Sequence, residues 1–217
     1  MSTQKWGFPF KILIAFIAWL GLSFQLYILI TNTPGNGMTV LQAIGRFLVF
    51  FTILCNLLIA ISLTIVIIVP GSGISRFFTK SSSVAAVAFY IFIVGLVYNT
   101  ILRSLWKPAG LQQVTDELLH VAVPLLYTLY WLFFAPKGSL TWTHPLRWLA
   151  FPAAYLIYAM VRGATEGFYA YPFINVTELG YGRVFMNCGG LLIIFVIIGF
   201  LFVAIDRMIS HQVNIHR

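Results

Sequence analysis

Charge is scarce in this chain. Only 8% of its 217 residues are charged and 60% are apolar, where an ordinary soluble domain carries about 25% charge. Carboxylates are scarcer still, five Asp and Glu against 13 Lys and Arg. That balance excludes a soluble globular enzyme, and the apolar runs leave no room for a separate soluble domain. Cysteine is limited to Cys55 and Cys188. Both fall inside apolar runs, where a thiol behaves as a small hydrophobe, so no disulfide between them is expected and the redox compartment stays open. The chain has no GxSxG elbow, no phosphate-cradling glycine loop, no HExxH and no paired Cys/His motif, so neither a metal nor a cofactor is expected. It also has no fixed-period repeat and no low-complexity tract.

Long apolar runs are what it has instead. Six of them, at about 12–31, 47–69, 84–102, 118–135, 148–162 and 184–205, predict membrane spans, since a bilayer core of about 30 Å takes roughly 20 helical residues. Backbone groups in lipid must be satisfied within the segment, and the runs lack the alternation of barrel strands. The expected fold is therefore an all-α membrane protein, one bundle of six transmembrane helices filling residues 1–217. The fifth run is the shortest and holds Pro152. No small-residue cleavage site follows the first run, which reads as a retained helix rather than a signal peptide.

The net charge of +8 reports orientation before it reports any nucleic-acid partner, and none is expected. Six spans put both termini on one side, together with Lys5, Lys11, Arg76, Lys80, Lys137, Arg147, Arg207 and Arg217, eight of the thirteen basic residues. Arg46, Arg103, Lys107, Arg162 and Arg183 lie on the other side. This bias places the termini in the cytoplasm. The connection at about 163–183 is the longest and carries Phe168, Tyr169, Tyr171, Phe173 and Tyr181. It reads either as an interfacial anchor or as a lid over a cavity mouth. Asn175-Val176-Thr177 in the same connection fits a glycosylation sequon, which has meaning only in a secretory pathway.

Polar side chains gather at the outer end. Helix orientation brings Gln25, Thr52, Asn56, Asn99, Arg103, Asp116, Glu117, His120, Arg162, Glu166 and Asn187 to one level, whereas the inner halves offer mainly hydroxyls such as Ser62, Thr64 and Thr128. Polar groups inside a membrane are costly and mark sites. Thr52/Asn56, Asn99/Arg103, Asp116/His120 and Arg162/Glu166 are each four apart, on one face of a continuous helix. Pro124 has no N–H for the carbonyl of His120, so the helix is expected to bend there and leave an acceptor beside the imidazole. Taken singly, each residue has a bland role. Thr52 can back-bond, Asn56 and Asn99 can glue helices together, His120 can sit at the interface, and Arg103 and Arg162 can snorkel.

Together they allow ester chemistry. A threonine hydroxyl needs an adjacent base before it attacks a carbonyl. His120 would be that base, oriented by Asp116, with Asn56, Asn99 or Arg103 on the oxyanion. Arg46, Arg103 or Arg162 would meet a substrate carboxylate, because a guanidinium pairs with one bidentately. A transporter or proton relay built on the same acid, histidine and arginine groups would need polar residues through both halves. A non-catalytic lipid-binding protein would make Thr52 and His120 structural.

Several stretches carry a family likeness: Arg46-Phe47, Phe51-Thr52-Ile53-Leu54-Cys55-Asn56-Leu57-Leu58, Leu118-Leu119-His120 with Pro124, and Tyr171-Pro172-Phe173-Ile174-Asn175-Val176 leading to Gly180-Tyr181-Gly182-Arg183. Across about residues 45–190 the chain resembles the androgen-induced-gene family of integral-membrane proteins, and is most similar to its compact bacterial members. Animal members of that family are threonine hydrolases that cleave fatty acid esters of hydroxy fatty acids, using a membrane threonine and a histidine. The resemblance implies Thr52 and His120 in those roles, a fatty-acyl substrate and a multi-pass location in a bacterial inner membrane.

Overall fold

The computed structural model describes residues 3–215, without the side chains of 3–5, 34, 36 and 212–215. Lys5 and Arg217, two of the basic residues behind the expected orientation, lie outside the residues described in full. Helix makes up 83% of the structure and no strand occurs among the described residues, so the class is all-α.

The principal helices are α1 (Thr3–Thr31), α2 (Val40–Leu48), α3 (Phe51–Ile68), α4 (Ser81–Leu102), α5 (Leu111–Phe134), α6 (Ala150–Glu166) and α7 (Val176–Ile215). Five of them, α1, α3, α4, α5 and α7, contain stretches long and apolar enough to cross a membrane. The expected span at 148–162 corresponds to α6. Its 17 residues rise about 26 Å at 1.5 Å each, short of a full bilayer core. Pro152 falls in its first turn, where a missing N–H breaks nothing.

Two helix boundaries depart from the hydropathy reading. The run expected over 47–69 is two helices, because α2 is amphipathic with Ala43 and Phe47 buried while α3 is apolar all round. Thr52 therefore stands in the first turn of α3. In the other direction, α5 begins seven residues before the expected 118. Its polar first turns read as loop by hydropathy, yet Thr115 and Asp116 are buried. Gln112 there donates to the Gln25 side chain of α1 at 3.0 Å.

The chain forms two compact units. The first takes residues up to Leu48 and Thr52–Pro136. Here α5 packs against α1 and α4, and two glycines set how closely. A Cβ on Gly21 would stand 2.8 Å from Leu119, and one on Gly95 would stand 2.9 Å from Pro124. Small residues at such crossings are the usual device of membrane helices. Trp19 adds an indole bond to Thr64 of α3 at 3.0 Å.

The second unit joins Val49–Phe51 to residues from Lys137 onward. The Phe51 ring packs tilted against Tyr155 and Phe151, with centroids 4.9 and 5.6 Å away, and the Tyr155 hydroxyl donates to Val49 O at 3.1 Å. The aromatic connection is shorter than expected, since α6 runs on to Glu166 and α7 starts at Val176. It is also packed: Ile174 joins Ala159 and Val184 in a buried cluster covered by Tyr169, Tyr171 and Phe173. Helix α7 breaks at Gly180, whose φ of 72° suits glycine.

Candidate functional site

Local helix geometry builds the site before any side chain is placed. Both α4 and α5 change pitch at the polar level, into π turns at Tyr98–Leu102 and Leu118–Ala122. Such turns are rare and concentrate at functional positions. In α5 the cause is readable. The Val123 N–H bonds Leu118 O, so Leu119 O loses its regular donor. Residue 124, the next one along, is proline and has no N–H to give. Leu119 and His120 thus present carbonyls that their own helix does not satisfy in the regular way.

Two asparagines satisfy them. The Asn56 amide, from α3, donates to Leu119 O at 3.2 Å and to Thr52 O at 2.8 Å. The Asn99 amide, from α4, donates to His120 O at 3.2 Å and to Gly95 O at 2.8 Å. The acceptor expected beside the imidazole is there, and Asn99 occupies it. Asn56 ties the Thr52 turn to the turn that carries His120. With two acceptors each, neither amide has a hydrogen left for an oxyanion, so the helix-joining role outweighs the oxyanion role expected of them. Asn56 is fully buried, and its Oδ1 has no donor among the described residues.

His120 is held at Nδ1 and on one ring face. Its Nδ1 lies 3.0 Å from Asp116 O and 3.1 Å from Asp116 Oδ1. A backbone carbonyl only accepts, so Nδ1 carries the ring proton. In the neutral ring Nε2 then keeps its lone pair. Tyr98 stacks on the ring with centroids 3.8 Å apart and planes 18° from parallel, and its hydroxyl donates to Asp116 Oδ2. The Trp106 indole in turn donates to the Tyr98 hydroxyl at 3.3 Å. Asp116 is only 3% exposed, and both its oxygens are engaged, which makes burying it tolerable.

The remaining expected residues distribute differently. Thr52 is buried, 7% exposed. Arg103 pairs with Glu117 near the surface and lies 5.7 Å from the Tyr98 ring centroid. Arg46 is half-buried on α2. Arg162 belongs to the second unit, where it pairs with Glu166 and donates to Tyr158. Two of the three arginines proposed for a substrate carboxylate thus already hold one.

Sequence reasoning missed Tyr98 and Trp106. The only signal was a tyrosine directly before Asn99, and ring stacking across helices has no sequence period. It also missed Asp206, fully buried in the second unit, which accepts from the Gly138 and Leu140 N–H groups at 2.9 and 3.2 Å. Among the described residues no three His, Cys, Asp or Glu side chains group as metal ligands, and both cysteines are free. Comparisons with family models, curated proteins and solved structures find no match to this chain.

Proposed function

We propose that this protein is a membrane-embedded hydrolase of lipid esters, with Thr52 as nucleophile, His120 as general base and Asp116 as the residue that orients it. The observation that carries the reading is the Asp116–His120–Tyr98 arrangement. Nδ1 faces only acceptors, the ring plane is fixed by stacking, and Nε2 is the nitrogen left to take a proton. The same division of labour serves in Ser-His-Asp hydrolases.

In this mechanism Nε2 takes the Thr52 hydroxyl proton as Oγ1 attacks the ester carbonyl carbon. The tetrahedral intermediate then collapses and the leaving alkoxide takes that proton from Nε2–H, so an alcohol departs and an acyl-threonine remains. Water, deprotonated by the same nitrogen, attacks the acyl-threonine, releasing the fatty acid and restoring Thr52. Arg103 keeps guanidinium hydrogens beyond its Glu117 bond for the developing oxyanion or a substrate carboxylate. Fatty acid esters of hydroxy fatty acids fit such a site, with an apolar tail and an acid group, and their use would agree with the family resemblance.

Purified protein in nanodiscs should hydrolyse a long-chain p-nitrophenyl or hydroxy-fatty-acid ester. Thr52→Ala and His120→Ala should each fall to background with melting temperatures close to the parent's. Undiminished hydrolysis in either variant rejects the mechanism. We further propose a multi-pass protein of a bacterial inner membrane with both termini cytoplasmic. A cysteine introduced at Ser139 should then react with impermeant maleimide only from the cytoplasmic face, and reaction from outside inverts the topology.

A further inference from the structure

The turn that presents Thr52 is built without a side-chain cap. Helix α3 starts at Phe51, and the residues before it are Val49 and Phe50. A helix start leaves N–H groups without intrahelical partners, and Ser, Thr, Asp or Asn usually supplies the capping oxygen. Phe50 has no side-chain oxygen to give. Its carbonyl is the first that the helix uses, so Val49 O, one residue earlier, falls outside the helical ladder. Helix ends of this kind fray unless something else holds them.

Aromatic side chains hold this one. Phe50 meets Phe168 and Tyr171 edge to face, with centroids 6.2 and 6.0 Å away. Phe51, buried, adds Phe195 at 6.3 Å to its contacts with Tyr155 and Phe151. The Tyr155 hydroxyl takes the spare Val49 carbonyl at 3.1 Å. These partners all belong to the second unit, as do Val49, Phe50 and Phe51, whereas Thr52 belongs to the first. The grip therefore acts on Thr52 along the chain, through the peptide bond from Phe51. Aromatic pairs are directional as well as apolar, so they fix the orientation of these residues and do not merely bury them. Thr52 is β-branched and has few χ1 choices in a helix, so the backbone of this turn decides where its hydroxyl points.

The aromatic connection gains a role from the same contacts. Tyr171 stacks on Phe173 at 5.2 Å with planes 4° apart, and Phe173 O accepts from the Asn187 amide of α7 at 2.9 Å. A continuous set of contacts thus runs from α7 through Phe173 and Tyr171 to Phe50. We propose that Phe50 and Tyr155 are positioning residues for Thr52, braced by the aromatic connection and acting through the backbone of residues 49–51. The catalytic purpose rests on Thr52 being the nucleophile; the grip on its turn does not.

Hydrogen exchange of the full chain in nanodiscs, resolved by residue, tests the grip. The Cys55, Asn56 and Leu57 amides bond to the carbonyls of Phe51, Thr52 and Ile53 in a regular helix, and they exchange when this turn opens. Phe50→Ala should speed their exchange about tenfold, the scale of two lost ring contacts. Phe50→Tyr should leave it near the parent's rate, as should the Leu125–Tyr127 amides of α5 in every variant. If Phe50→Ala does not fold, Tyr155→Phe carries the test. It deletes one oxygen, keeps the ring and should speed exchange severalfold. In ester hydrolysis Phe50→Ala should lose about tenfold in kcat with KM near the parent's, and Phe50→Tyr should restore the rate. Parental exchange in both Phe50→Ala and Tyr155→Phe overturns the proposal. A change in KM alone overturns it too, by making Phe50 a substrate contact. A parent that hydrolyses no ester overturns the reading of Thr52 and the catalytic purpose with it, while exchange still decides whether the grip exists.

Discussion

Asp116 engages His120 with one oxygen and Tyr98 with the other, so shape-preserving substitutions separate orientation from charge. Asp116→Asn keeps the volume but can present an N–H to Nδ1, which would move the ring proton to Nε2 and remove the base. Ester hydrolysis should fall by roughly 10²–10⁴-fold, as when a triad carboxylate is lost. Tyr98→Phe keeps the stacked ring and deletes only the bond to Asp116, so its loss should be smaller, about tenfold. Steady-state kinetics of the two variants check both values, and an Asp116→Asn enzyme as fast as the parent removes Asp116 from the mechanism. At this scale the i,i+4 rule made Asp116 and His120 legible as a pair, and it placed Asn56 on the face of Thr52. Tyr98 stayed hidden because its contact depends on how α4 lies against α5, which no spacing within one helix encodes. Asp206 stayed hidden for a related reason: its partners are two backbone N–H groups of a distant loop.

Among the elements, α5 carries the argument, and Pro124 is its decisive position. The sequence foretold an unpaired carbonyl at His120, but not that a π turn would free Leu119 O as well. The two asparagines therefore read as catalytic or adhesive with equal ease from sequence, and only the π turn separates those roles. Pro124→Ala returns an N–H to the helix and allows a regular α turn through residues 118–122. That turn would rotate His120 away from Tyr98 and compete with Asn99 for His120 O. Hydrolysis should drop at least about tenfold, while the melting temperature holds or rises, since an interior proline costs a helix about 3 kcal/mol. Parallel activity and thermal-shift measurements distinguish this outcome from simple unfolding, in which both would fall. Hydropathy located the helices well and their ends poorly, because a buried polar first turn, as in α5, looks like a loop until its partners are known.

For the whole molecule, an all-α membrane architecture follows from composition alone, while the chemistry around Lys137 in the second unit does not. Burial there pulls the Lys137 ammonium down to about 8 from 10.5, with the Asp206 carboxylate opposing the shift. The folded chain gives up that proton near pH 8 and the unfolded chain near 10.5. Between these values the unfolded state binds more protons, so stability rises with pH across the window. The contribution is complete above 10.5 and lost as pH falls to about 8. Lys137→Met should flatten that rise in thermal melts, and an unchanged slope assigns it to other groups. The central claim, an activated threonine in a membrane bundle, is tested most directly by covalent capture. A long-chain fluorophosphonate is incubated with the protein in nanodiscs and the modified residue is mapped by peptide mass spectrometry. The expected result is a single adduct on Thr52, absent from Thr52→Ala and strongly reduced in His120→Ala. An adduct on another residue, or none in a protein that does hydrolyse lipid esters, would contradict the account.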